Sequence, residues 1–297
     1  MLAAVCAADA SASQLIDRNA SRVKLAVSRD GVALLSYTVA GRRREVVARG
    51  AVDALVPTTS RPQVEFKVDY SGSPTPIRNA CRRYDGPKLD LLVTACKASD
   101  GSYWAVQQWQ RALPNLGFDP WRPEQSAVEL RLSHWTGPLA RLEVWTDWSY
   151  GGRFHSLFGR LTYRDQPVHG FRATPTGVPL DDYGRNLYLD TFNSAYGAGW
   201  RRENSFLAQT PTGAFCYGFF PHAPYRGYPR VPTGQRPAGN GERYRLTVIG
   251  PGVTPDIAWE GSGLPAFDSS NAAHVEHEKE MNLELEKLEA GKRLCHR

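Results

Sequence analysis

The chain reads as mainly β: two antiparallel β-sandwich-like domains followed by a C-terminal amphipathic helix. Three observations predict this. From Phe158 to Trp259, short aromatic and β-branched runs recur at roughly even intervals, separated by Gly, Pro, Asp and Asn, the pattern of strands joined by tight turns. Methionine occurs only at positions 1 and 281, while aromatics make up 11% of the chain, so rigid, strand-favouring side chains outweigh flexible helix formers. Past Leu264-Pro265 the composition flips to a charged, helix-favouring run. At 297 residues there is enough chain for one large or two ordinary cores.

The elements follow in order. Residues 1–12 read as the remnant of a signal peptide. Leu2 to Ala8 is apolar and small, and Ala10-Ser11-Ala12 has the A-x-A form of a cleavage site. No positive region precedes it, as if the true start codon lay upstream; the alternative is an Ala-rich terminus with no targeting role. Residues 13–152 form a first β domain. Val23–Val27 and Val32–Val39 are strands joined at Arg29-Asp30-Gly31, where Gly admits the positive φ of a hairpin turn. Glu45–Ala48 is a third strand. Val64–Tyr70 alternates with period two, as a half-buried strand does. Leu89–Ala95 is a continuous apolar run and reads as an interior strand. Tyr103–Leu113 is either a strand or a short helix. Val128–Leu132 and Leu142–Thr146 alternate and are strands.

Two adjacent glycines in Tyr150-Gly151-Gly152-Arg153 place a domain boundary, so that residues 153–263 form a second sandwich and 264–297 a helical tail; one continuous sandwich assembly is the alternative. Phe220 to Gly241 is rich in Pro, Gly, Arg and Tyr and reads as a long exposed loop, the kind that is usually functional or disordered. In the tail, Met281, Leu285 and Leu288 stand four and three apart, and Gly291 suits the position that ends a helix. Its apolar stripe is expected to dock on its own body or on a protein partner rather than a membrane, because its polar face is dominated by Glu.

Within the second domain, Gly159-Arg160-Leu161-Thr162-Tyr163, Pro167-Val168-His169-Gly170, Asp182-x-Gly184-Arg185 and Tyr244-x-Leu246-Thr247-Val248 together resemble the carboxypeptidase regulatory-like domains. The resemblance covers residues 159–252, about a third of the chain. It implies a prealbumin-type sandwich of seven strands and a non-catalytic extracellular module. The chain departs from that pattern at Phe171, where a small residue is usual, and in an insertion from Phe192 to Thr212. More loosely, the whole chain is similar to exported bacterial proteins, a likeness that implies a compartment and no activity.

Charge and cysteines narrow the function classes. The net charge of +6 comes from scattered arginines, whereas a nucleic-acid reader concentrates them in a stripe. The densest run, Arg42-Arg43-Arg44, reads as a solvated hairpin turn, with a polyanion patch as the second reading. Cys81 and Cys96 enclose fourteen residues. They lack the C-x-x-C spacing of a zinc or redox site, and in an oxidising compartment they are expected to form a disulfide. Cys216 is either a buried small hydrophobe or a partner for Cys6 or Cys295. No run reaches the length of a membrane span, and nothing calls for a cofactor or a metal.

Six of the eight tryptophans fall between Trp104 and Trp148. Exposed Trp and Tyr rings stack on sugars, but Trp is also a common core filler in sandwiches. The candidate ligand-binding residues are Trp145 and Trp148 beside Asp147 and Tyr150, Trp121 in a Pro-flanked loop, and Trp200 with Arg201 and Arg202 after the Gly-rich run Asn193–Gly199. No catalytic residue is assigned. Ser133-His134 are neighbours pointing to opposite faces of a strand. His134, His155 and His169 with Asp147 and Asp190 are first read as structural. Glu129 and Glu143 read first as the wet face of a half-covered sheet, and only second as an acid–base pair. His274 and His277 lie three apart on a helix face, read as solvent-exposed before metal-ligating. The expectation is a secreted, non-catalytic recognition protein whose leading ligand is a glycan or cell-wall polymer. The alternatives are an extracellular hydrolase of polysaccharide or peptide, and a purely structural surface protein.

Overall fold

The computed structural model describes residues 13–50, 66–71, 77–110, 127–149, 154–168, 187–194, 197–202, 207–209, 213–219, 241–250 and 253–291. The fold is mainly β with antiparallel sheets and one C-terminal helix, as the sequence predicts. One sheet contains β1 (Gln14–Arg18), β6 (Arg82–Arg83), β7 (Leu92–Lys97), β8 (Tyr103–Gln110) and β9 (Val128–Trp135) in the order β1-β9-β8-β7-β6. A meander of β2 (Ser21–Val27), β3 (Ala33–Val39), β4 (Arg42–Gly50) and β5 (Phe66–Asp69) forms a second. The third is ordered β10-β11-β16-β15, from β10 (Arg141–Ser149), β11 (Phe154–Tyr163), β15 (Leu207–Gln209) and β16 (Ala214–Phe219), with β12 (Gln166–Pro167) paired to β11. The fourth is ordered β14-β13-β17-β18, from β13 (Leu187–Ser194), β14 (Gly197–Arg202), β17 (Arg243–Val248) and β18 (Ile257–Ser262).

The β1–β9 sheet is a middle layer. On β8, Trp104 and Val106 face the β2–β5 meander and share a core with Leu35, Tyr37 and Val46. Ala105, one residue along and therefore on the opposite face, joins a larger core with Leu157, Leu161, Phe215, Leu189 and Leu246. That second core draws Leu89, Ala105, Trp135 and Ala140 from before residue 150 and the rest from after it, while β10 pairs with β11 across the two glycines. Because the middle sheet is covered on both faces, every residue of β9 from Glu129 to Trp135 is buried, polar ones included. Glu129 is therefore not on a wet face: only 3% of it is exposed.

Several local expectations need correction. The β3–β4 turn is Ala40-Gly41, both with positive φ, so Arg42, Arg43 and Arg44 lie in β4, opposite Val39, Thr38 and Tyr37. Leu89–Ala95 is not a continuous interior strand. β7 starts at Leu92 after Leu91 at φ 56, its register slips between Leu92 and Thr94, and Leu92 and Val93 are exposed. Tyr103–Gln110 is a strand because it pairs on both sides, with β7 and with β9.

Helix α1 (Ala272–Glu289) is capped by the Asn271 side chain, which accepts from the Ala273 amide, and it ends at Ala290 in the left-handed conformation. Leu285 and Leu288 are buried with Phe158 and Ala214, and Met281 and Trp145 pack at the edge of that cluster. The stripe thus docks on the protein's own third sheet. No helix among the described residues is long and apolar enough to cross a membrane.

Candidate functional site

One concavity among the described residues is a cleft of about 730 Å³ at one end of the first two sheets, within the range of roughly 300–1,000 Å³ usual for small-ligand sites. The β2–β3 turn supplies Ser28, Arg29 and Asp30. It is held closed by Ser28, whose amide donates to Val32 O (2.8 Å) and whose hydroxyl accepts from the Val32 amide (3.1 Å). β4 and β5 supply Arg49 and Asp69. A further wall is the stretch Ile77–Arg82, which contributes Arg78, Asn79 and Arg82. That wall is not a loose loop. The Asn79 side chain accepts from the amides of Val27 (3.1 Å) and Cys81 (3.0 Å), Ala80 N donates to Val27 O (2.7 Å), and the Cys81–Cys96 disulfide ties it to β7. The expected disulfide is therefore formed, and its role is to fix a wall of the cleft.

The lining sets four guanidinium groups (Arg29, Arg49, Arg78, Arg82) against two carboxylates (Asp30, Asp69). Among the described residues none of the four arginines makes a side-chain hydrogen bond or ion pair. The Asp69 carboxyl is held below the ordinary range chiefly by the Ser71 amide, with Arg49 a lesser contributor. A second hollow of similar volume lies beside Asp17, Arg43, Arg44, Glu45 and Tyr70. There the charges are already matched: Arg44 pairs with Asp17 at 2.9 Å and Arg43 with Glu45 at 2.5 Å. Of these two hollows, the first is the one whose arginines make no side-chain hydrogen bond or ion pair among the described residues.

The residues singled out from sequence are placed as follows. Trp148 is buried, and its indole N–H donates to Pro265 O (2.8 Å) while its ring is surrounded by Phe267, His274 and His277. Trp145 stacks on Phe158 beside α1 at 5.7 Å. Asp147 is 1% exposed. The two tryptophans belong to the helix-docking surface, and their rings already carry protein contacts. Trp200 is half-buried, with the guanidinium groups of Arg243 and Arg245 over its ring at 5.4 and 4.0 Å. Trp121, Tyr150 and the side chains of Arg201 and Arg202 lie outside the described residues, as do residues 1–12, most of the Phe220–Gly241 loop and His169. Cys216 is also disulfide-bonded.

The acid–base candidates do not converge. Glu129 lies on the middle sheet, whereas Glu143 is on β10 beside Arg141 at 2.5 Å. His277 donates through Nε2 to Thr146 O (2.9 Å) and His274 Nδ1 accepts from the Asp268 amide (3.0 Å). Both imidazoles are thus committed to the docking of α1, not arranged around a metal. His155 lies 3.3 Å from the Tyr244 hydroxyl, and burial lowers its pKa.

Two buried polar clusters escaped the sequence reading. In the first, the Asp256 carboxylate, fully buried, accepts from the Ser13 hydroxyl (2.6 Å), the Trp109 indole (2.9 Å) and the Gly250 amide (2.9 Å), with Arg131 Nε 3.5 Å away. The Asp256 backbone exchanges two bonds with the Gln107 amide group (2.7 and 2.8 Å). Arg131 also reaches Ser13 (3.0 Å) and Glu129 (3.5 Å), and Glu129 is capped by Arg18 (3.0 Å). A side chain on Gly250 would collide with the carbonyls of Thr254 and Pro255, so this position must be glycine for the Asp256 loop to close. The cluster bolts β1 and the middle sheet to the β17–β18 connection.

In the second cluster, His134 stacks on Trp104 (3.8 Å, 13°). Its Nδ1 faces Gly50 O (3.1 Å), which can only accept, so Nδ1 carries the proton, and Nε2 lies 2.9 Å from the Ser102 hydroxyl oxygen. The Ser102 hydroxyl donates to Asp100 (2.6 Å). Burial pushes the His134 pKa down from 6.5 to about 4, against the Gly50 carbonyl and the Asp100 charge, which raise it. The unfolded chain therefore binds this proton near 6.5 and the folded chain only near 4. The stability it contributes is whole above pH 6.5 and is lost as pH falls towards 4, on the order of 3 kcal/mol in all. Urea melts at pH 7.5, 5.5 and 4 should give a steeper acid loss for the wild type than for His134→Gln. Equal slopes would show that His134 does not couple protons to folding.

No family model, curated protein or solved structure matches this chain.

Proposed function

We propose that the protein is an exported, non-catalytic recognition protein that holds a ligand of the cell envelope, carbohydrate first, in the cleft between the β2–β3 turn and the Cys81-anchored wall. The observation that carries this reading is a concavity, built on a turn, two strands and a disulfide-tied stretch, whose four arginine side chains have no hydrogen-bond or ion-pair partner among the described residues, because binding groups concentrate on loops and turns positioned by a stiff scaffold. Sugars are recognised by such dense polar lining. Two further features support the reading: a disulfide forms in oxidising compartments, and residues 159–252 resemble modules that attach to extracellular proteins without catalysing anything. The purified protein should retain specific members of a glycan array or insoluble cell-wall fractions. Retention of none, with folding verified by circular dichroism, would remove the proposal.

A further inference from the structure

We infer that the ligand of this cleft is anionic, a glycan carrying carboxylate, sulfate or phosphate groups along its chain; the inference rests on the recognition reading above. The charge of the site is the reason. Arg29, Arg49, Arg78 and Arg82 line one hollow, exposed, with Asp30 and Asp69 the carboxylates in its lining among the described residues. The nearby arginines of the second hollow are neutralised by Asp17 and Glu45. Arginine clustered without counter-ions repels itself, and two strands, a turn and a disulfide-tethered stretch hold these four together.

Guanidinium is suited to such a ligand. Its planar fork meets a carboxylate or phosphate with two parallel charge-assisted hydrogen bonds, and it is less strongly hydrated than an ammonium. The donors come from separate parts of the chain, Arg29 and Arg49 from the β2–β3 turn and β4, and Arg78 and Arg82 from the Ile77–Arg82 stretch. Four guanidinium groups lining one cleft offer more donors than a single small ion can accept, whereas a chain with charges repeated along it can engage several of them. Ser28 and Asn79 add the neutral polar groups that sugar hydroxyls need. Asn79 presents its oxygen to the backbone amides of Val27 and Cys81, and no hydrogen bond holds its amide nitrogen among the described residues.

Three probes separate the sources of charge: oligogalacturonate for carboxylate, dextran sulfate for sulfate and poly(glycerol phosphate) for phosphate, with neutral dextran alongside. By isothermal titration calorimetry, at least one anionic probe should bind at low salt and weaken about tenfold or more as salt is raised. The Arg78→Gln/Arg82→Gln double variant should weaken it by a further factor of about ten or more. Removing two charges at the end of the β2–β5 sheet away from the cleft, Arg22→Gln/Arg42→Gln, should change it less than about threefold. The cleft arginines are exposed, so thermal melts of both variants should match the wild type. If a neutral glycan binds as well as the charged probes, or the two double variants weaken binding equally, the anionic assignment is overturned while glycan recognition survives. If no probe, charged or neutral, binds the folded protein, both fall together.

Discussion

Replacing Asp256 with alanine is expected to destabilise the fold by about 3–5 kcal/mol, the largest effect of any single substitution considered. The carboxylate is fully buried and accepts from Ser13, Trp109 and Gly250, three donors that no water can reach in the packed interior. Each orphaned donor costs roughly 1–3 kcal/mol, and the Arg131 guanidinium, 5% exposed, loses one of its two nearby carboxylates. Asp256→Asn keeps the shape but presents an N–H₂ where one of these donors points, so it should fall between wild type and alanine. Denaturant unfolding measures the order directly. A loss below about 1 kcal/mol for the alanine variant would mean that the β17–β18 connection relaxes enough to admit water. The same substitution should release β1 early, seen as faster hydrogen exchange at Leu15 and Ile16, because Ser13 anchors that strand to the far half of the chain.

The second large effect is expected from the Cys81→Ser/Cys96→Ser pair. The bridge closes a sequence separation of fifteen, for which loss of chain restriction predicts about 3 kcal/mol of destabilisation. The cost is local as well as global. Ile77–Arg82 would then be held to the body by the Asn79 and Ala80 bonds to Val27 and by the short pairing of β6 with β7. Ligand affinity should therefore fall even under conditions where the variant stays folded, since Arg78 and Arg82 would have to be ordered on binding. Unchanged affinity together with a lowered melting temperature would confine the bridge to a purely global role.

Much of the fold was legible from local rules. The β2–β3 hairpin followed from Asp30-Gly31, the strands β9 and β10 from alternation, and α1 from Met281, Leu285 and Leu288 with Gly291 at its end. Cys81 and Cys96 were legible because short-range cysteine pairs without metal spacing have few other partners. The cleft was not. Its arginines are spread over more than fifty positions, between residues 29 and 82, and no stripe or motif joins them. Their convergence depends on β4, the β2–β3 turn and the Ile77–Arg82 stretch meeting at one end of two sheets.

Burial also depends on what lies above a strand, which period-two alternation cannot reveal. Alternation correctly sorted Leu130 and Leu132 from Glu129 and Arg131, but it implied that the charged face met water. A second set of sheets covers that face instead, so Glu129 and Arg131 became an internal ion network with Asp256. Trp145 and Trp148 moved the other way, from expected ligand contacts to the seat of α1. Sequence by itself determined the strand grammar, the disulfide and the terminal helix, because these arise from contacts between near neighbours in the chain. Which faces were buried, which charges were matched and where a ligand has room were decided only by tertiary structure, since each depends on segments far apart in sequence excluding water from one another.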